Sequence, residues 1–162
     1  MIGVALTVLG LVGFAVVWGF APTSPTGDQV FSSAGQRIYY TGADSQGVPI
    51  ARTVAGGGLI GLGMMADTAA CVDCHGDDGR GGRVGMMFGA VEIPGIRYSV
   101  LTSARSQDGT SVLAWSDSDI ARAIRDGLEP NGQSVSAPMP RWDMTDVQLS
   151  EVIGYLKELG KR

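Results

Sequence analysis

Histidine and cysteine are almost missing from this chain: its 162 residues include one histidine, His75, and two cysteines, Cys71 and Cys74. So few ligands exclude structural zinc, which takes four Cys or His side chains. The two thiols lie too close in sequence for a disulfide between them to restrain much of the unfolded chain. A dithiol oxidoreductase would carry its CxxC at a helix start inside a βαβ pattern, and no such pattern precedes Cys71. Positive charge is scarce as well. Twelve Lys and Arg face sixteen Asp and Glu, for a net charge of −4, which excludes the basic face that a nucleic-acid partner requires.

Ionised side chains are absent altogether from Met1 to Pro22. That stretch is filled with Ile2, Val4, Leu6, Val8, Leu9, Leu11, Val12, Phe14, Val16, Val17, Trp18 and Phe20. At 1.5 Å rise per residue, about 20 helical residues span roughly 30 Å of hydrocarbon. Trp18 and Phe20 fall near one end, where aromatic rings favour the interface. The expectation is a single-pass transmembrane helix over 1–22, a linker rich in Pro, Ser and Thr over 23–35, and one domain over 36–162. The rival reading is a cleaved secretory signal, which ordinarily has a positive leading region and a shorter apolar run; neither is present. No cysteine directly follows the apolar run, where a lipid-modified N-terminal cysteine would have to stand. Ala15 and Gly19 form a small-xxx-small pair suited to a neighbouring membrane helix.

What the chain does have is Cys71-Val72-Asp73-Cys74-His75, a CxxCH run that uses every cysteine and histidine it owns. Two thiols at this spacing can form thioethers with the vinyl groups of one porphyrin, and the next residue sets an imidazole under the iron. The motif predicts one covalent haem c, with Cys71 and Cys74 as attachment points and His75 as an axial ligand. Haem c attachment in turn places everything after Pro22 on the outer, periplasmic side of the cytoplasmic membrane.

The sixth iron ligand has to come from elsewhere, since no second histidine exists. A methionine thioether is neutral and soft and raises the potential relative to two nitrogens. Of seven methionines, Met139 is the leading candidate. It sits between Pro138 and Pro140 in the loop Glu129 to Asp143, where proline prevents helix and restricts the chain. Met86, Met87 and Met144 are the alternatives, each also suited to packing against porphyrin or core. Arg141 and Trp142, which follow Met139, are candidates for haem propionate contact or haem packing, against the plainer reading of a surface arginine and a core tryptophan. Arg97 and Tyr98 are further propionate candidates. The imidazole of His75 should donate its other N–H to a backbone carbonyl, for which Pro94 is the candidate.

Other features are weaker. Gly56-Gly57-Gly58-Leu59-Ile60-Gly61 matches GxGxxG in form, but a dinucleotide site needs a preceding strand and an acidic residue about twenty positions on. That count lands on Asp78, inside the loop after His75. Asp73, Asp77 and Asp78 are either an acidic docking edge or solvated loop charge. Gln36 to Thr41 reads as a short helix or strand. Ser116-Asp117-Ser118-Asp119 starts a helix that ends at Gly127, and Thr145-Asp146-Val147-Gln148 is a capping box before Leu149, Val152, Ile153, Leu156 and Leu159.

In Ala70 to Gly76 with Gly79, Gly81 and Gly82, in Ile120 to Gly127, in Met139-Pro140, and in Val152 to Leu159 with Tyr155, the chain resembles the class I c-type cytochromes over about residues 35 to 160. More narrowly, Arg37 to Gly42, Ile96-Arg97-Tyr98 and Met139-Pro140-Arg141-Trp142 resemble the membrane-anchored monohaem cytochromes of filamentous phototrophic bacteria, among them the monohaem subunit of alternative complex III. The resemblance implies a mainly α chain with the class I cytochrome c fold, a small helical domain around one haem c, and His75 and Met139 as axial ligands. The chain departs from the family in its long approach, Gln36 to Met65, ahead of the motif. The implied function is single-electron transfer, as a non-catalytic subunit of a quinol-oxidising complex that passes electrons to a mobile acceptor protein. Multihaem or quinol-oxidising subunits and the membrane are the implied partners. An independent tethered shuttle, a cytochrome c subunit of a terminal oxidase, and a structural subunit are the alternatives. A peroxidase or gas sensor would want a polar distal group, for which no histidine remains.

Overall fold

The computed structural model describes residues 30–54, 69–86, 89–107, 110–159 and 161. The chain divides into two units, Met1–Val30 and Phe31–Arg162, and the described elements belong to the second. In order they are α1 (Ala34–Thr41), β1 (Arg52–Val54), α2 (Cys71–His75), β2 (Gly82–Met86), β3 (Gly89–Ile93), α3 (Tyr98–Leu101), β4 (Arg105–Gln107), β5 (Thr110–Val112), α4 (Asp117–Arg125), β6 (Pro140–Trp142) and α5 (Asp146–Leu159).

The expectation of a mainly α chain with the small helical class I cytochrome c fold is overturned. Among the described residues five short helices alternate with three two-stranded antiparallel ladders, β1–β6, β2–β3 and β4–β5, so the architecture is mixed. The cause lies in glycine and β-branched residues between the helices. Gly76 at φ +76° stops α2 after five residues. The stretch that follows pairs Val84 with Val91 across β2–β3, residues that favour a pleated surface. Among the described residues no helix is long and apolar enough to cross a membrane. The stretch 1–22 lies outside the described residues, as do Gly56–Gly61, Met64, Met65 and Met87.

Two helices form the frame. In α1 the Ser33 hydroxyl accepts the Gln36 N–H at 3.1 Å, and Gly42, in the left-handed region at φ +65°, closes the other end by donating to Ile38 O. Ala34 and Gly35, read above as linker, already belong to this helix. In α5 the capping box forms as expected: Thr145 N donates to Gln148 Oε1 at 2.9 Å and Gln148 N to Thr145 Oγ1 at 3.3 Å. The helices pack closely because Gly35 has no side chain; a Cβ there would overlap the carbonyl of Glu151.

The core splits along this frame. Ile38, Ile50, Trp142, Met144, Leu149 and Val152 form one buried cluster. Tyr39, Ile120, Ile153, Tyr155, Leu156 and Leu159 form a second, with Cys71 and Val72 packed against it. Neighbours in sequence, Ile38 and Tyr39 serve different clusters, and each fully buried apolar side chain contributes about 1.5–3 kcal/mol. The CxxCH helix therefore rests on the cluster formed largely by α1 and α5.

Candidate haem site

Cys71 to His75 fold as the single turn α2. Its start is held by Asp73, whose carboxylate accepts the Ala70 N–H at 2.6 Å; its end is held by Gly76 N, which donates to Val72 O at 2.8 Å. The Tyr39 hydroxyl, at the end of a fully buried side chain, donates to Gly76 O at 2.6 Å and ties the turn to α1.

His75 is buried at 5 % exposure, and its Nδ1 lies 3.0 Å from Pro94 O. A carbonyl only accepts, so Nδ1 is the protonated nitrogen and Nε2 carries the lone pair. The residue expected to orient this imidazole is the one found beside it. Burial lowers the His75 pKa, partly opposed by the bond to Pro94, so the ring is neutral and able to ligate iron near neutral pH. The carbonyl is placed by Gly81 at φ +69°, where a Cβ would press on the carbonyls of Ile93 and Pro94. Gly81 N also donates to His75 O at 2.9 Å.

Both cysteines are unpaired and half-buried. Burial pushes the Cys71 thiol up to about 12, and burial followed by the nearby Asp73 charge raises Cys74. This is the reverse of the depressed thiol that a dithiol oxidoreductase uses. Among the described residues no group of three or more His, Cys, Asp or Glu is arranged to hold a metal ion, so the site lacks the donors of a protein-only zinc centre. Two unpaired thiols on one turn, beside an imidazole with only Nε2 available, do fit covalent haem.

Met139 lies on the loop between α4 and β6 and is half-buried. Its N–H donates to Ser136 O at 3.3 Å. Met144 is in the first core cluster at 3 % exposure, and its carbonyl accepts from Arg125 Nε at 3.1 Å and from a terminal nitrogen at 2.7 Å. For Met86 the backbone in β2 is described, but not its side chain.

The four expected haem contacts each have protein partners. Arg97 donates from Nε to Asp78 O at 2.7 Å and from a terminal nitrogen to Asp78 Oδ2 at 3.0 Å. Tyr98 OH donates to Asp117 Oδ1 at 2.8 Å, with Lys157 Nζ 4.9 Å from its ring centroid. Arg141 donates to Met139 O at 2.9 Å and Val135 O at 3.2 Å. Trp142 is 3 % exposed within the first cluster, with the Arg52 guanidinium 4.6 Å from its ring centroid. Of the three acids that read as a docking edge or as solvated loop charge, Asp73 caps α2, and Asp78 also pairs with Arg80 at 3.0 Å.

Three features around this site carry little or no signal in the sequence. The first is the Tyr39–Gly76 bond, for which a tyrosine on an apolar helix face is no specific signal. Another is the β1–β6 ladder, which sets Val54 opposite Pro140, Thr53 opposite Arg141 and Arg52 opposite Trp142; the triplet Arg52-Thr53-Val54 is too short for strand periodicity to show. Gly127, read only as a helix end, also makes room for Arg141, since a Cβ there would overlap the guanidinium. Comparison with protein-family models, with curated proteins and with solved structures finds no match to this chain.

Proposed function

We propose that this protein is a one-electron carrier of the c-type cytochrome kind, working at the outer face of the cytoplasmic membrane. The observation that supports the reading most is the CxxCH turn with its buried His75, whose Nδ1 is fixed by Pro94 O and whose Nε2 is left to bind. When bound, haem c supplies a one-electron couple whose potential depends on its axial ligands and surroundings. Cys71 and Cys74 would hold it covalently, and His75 would ligate the iron through Nε2. Met139, on a loop restricted by Pro138 and Pro140, would supply a second, thioether ligand to the iron. The Pro94 carbonyl raises the basicity of the imidazole and fixes its orientation. Tyr39 holds the start of the loop that follows His75.

The uncharged stretch 1–22 favours membrane association. A carrier held at the surface meets its donor at high effective concentration, so modest affinity suffices. The reading includes membership in a quinol-oxidising assembly, with multihaem or quinol-oxidising subunits as donors and a mobile protein as acceptor.

The test is mature protein from native membranes, solubilised in mild detergent. Haem staining that survives denaturing electrophoresis, thiols closed to alkylation and a reversible one-electron titration are expected. Colourless protein with both thiols alkylatable would overturn the proposal. Co-migration of the haem-stained band with a larger assembly supports the subunit role, and migration as a single free species favours a tethered shuttle.

A further inference from the structure

The loop that carries Met139 is closed on itself by one side chain. The Arg141 guanidinium donates to Val135 O at 3.2 Å and to Met139 O at 2.9 Å, bridging the start of the segment and the ligand residue itself. These are charge-assisted bonds from a rigid planar fork, stronger than neutral ones and not reproducible by an ammonium. The fork lies across Gly127, which at φ +69° ends the turn after α4 and leaves the space that a Cβ would fill. Val135 N donates to Gly127 O at 2.8 Å, so the same glycine anchors the loop from below. Beyond Met139 the chain enters β6, whose pairing with β1 is extended by Asp143 N donating to Ala51 O at 2.8 Å.

Met139 is thus bracketed on both sides by fixed backbone. We propose that Arg141, seated on Gly127, is the positioning residue for the distal ligand: it holds the Met139 loop in one conformation so that the thioether stays on the iron. The inference rests on the proposed ligation by Met139 and gives Arg141 a task other than contact with a haem propionate. An axial ligand held by a preorganised loop loses little conformational entropy on binding, whereas a loosened loop gives way to competing ligands.

The experiment uses the holoprotein with Arg141→Gln, Arg141→Lys, Gly127→Ala and, as control, Met139→Ala. Imidazole is titrated into each ferric protein, and the far-red thioether-to-iron absorption and midpoint potential are recorded. Arg141→Gln and Gly127→Ala are expected to take up imidazole roughly tenfold more tightly than the parent, in line with the usual effect of losing a group that orients a metal ligand. Both are expected to weaken the far-red band, with haem content unchanged and Arg141→Lys only partly rescuing. Imidazole affinity, band and potential all equal to the parent in Gly127→Ala and Arg141→Gln would overturn the inference, even if both variants melt at lower temperature. Should Arg141→Gln fail to accumulate, Gly127→Ala, which keeps the arginine and displaces it, decides by the same readouts. A parent protein without the band, unaltered by Met139→Ala, would instead overturn the ligation by Met139, and the inference with it.

Discussion

His75 and Pro94, nineteen positions apart, meet through a 3.0 Å hydrogen bond from imidazole Nδ1 to the backbone carbonyl. A backbone acceptor cannot be removed by changing its own side chain, so the contact is best tested through the glycine that shapes it. Gly81 is at φ +69°, and a Cβ there would press on the Pro94 carbonyl and overlap that of Ile93. Gly81→Ala is expected to cost about 1–3 kcal/mol from the left-handed backbone and displaced carbonyls. If His75 ligates haem iron as proposed, it is also expected to shift the midpoint potential, because the hydrogen bond behind the imidazole tunes its basicity. Urea denaturation and a redox titration check the two effects separately; an unchanged potential would sever Pro94 from the tuning of His75.

Covalent attachment gives a second prediction. If Cys71 and Cys74 each form a thioether, Cys71→Ala or Cys74→Ala leaves one bond, and haem staining after denaturing electrophoresis persists at reduced yield. The double substitution removes both, and all stain leaves the polypeptide. Stain that survives in the double variant would show attachment elsewhere in the chain.

The α1–α5 crossing depends on Gly35. Its missing Cβ makes room for the Glu151 carbonyl, and Tyr155 Cβ would lie 3.1 Å from an added carbon. Backbone cannot yield as a flexible side chain can, so Gly35→Ala should cost about 1–3 kcal/mol by forcing the helices apart. The cost is read from the urea midpoint of parent and variant. Because Tyr39 and Tyr155, whose rings are 5.3 Å apart, lie in the cluster under Cys71, a small change in the haem spectrum is expected too.

How far the sequence carries can be judged at particular residues. The helices α4 and α5 are legible because their signals are local: Ser116 and Asp119 bond reciprocally at 3.2 Å and 2.9 Å, and the apolar positions of α5 recur at helical spacing. That a backbone carbonyl should face the His75 imidazole follows from the needs of a ligand histidine; that it is the Pro94 carbonyl depends on the fold of the loop around Gly81. The mainly α expectation came with the resemblance alone: from Gly76 to Val112 no long amphipathic pattern supports helix, and the antiparallel pairs found there depend on contacts formed only on folding. For Arg141 the sequence leaves haem contact and a surface position both open; that it turns back onto Val135 and Met139 follows from the space above Gly127, which no linear pattern encodes.

Asp117 joins three elements through charge and gives a pH-dependent prediction. Its carboxylate accepts from Lys157 Nζ at 2.7 Å and from Tyr98 OH at 2.8 Å, linking α4, α5 and α3. The bond to Lys157, then that to Tyr98, lowers the Asp117 pKa below 3.8, and the bond to Asp117 raises Lys157 above 10.5. With a folded pKa below the unfolded one, the carboxylate contributes stability that is present above about pH 4 and is lost as pH falls through the lowered value. The lysine contribution runs the other way: it is complete below the unfolded lysine pKa and is lost as pH rises through the higher folded value. The pair is exposed and screened by salt, so its contribution is small. Asp117→Asn is therefore expected to lower the urea midpoint slightly near neutral pH, with the difference from the parent vanishing in acid below the folded Asp117 pKa and shrinking with added salt. A difference that persists unchanged into acid would mean that the amide disrupts packing or the Tyr98 bond instead of removing a charge.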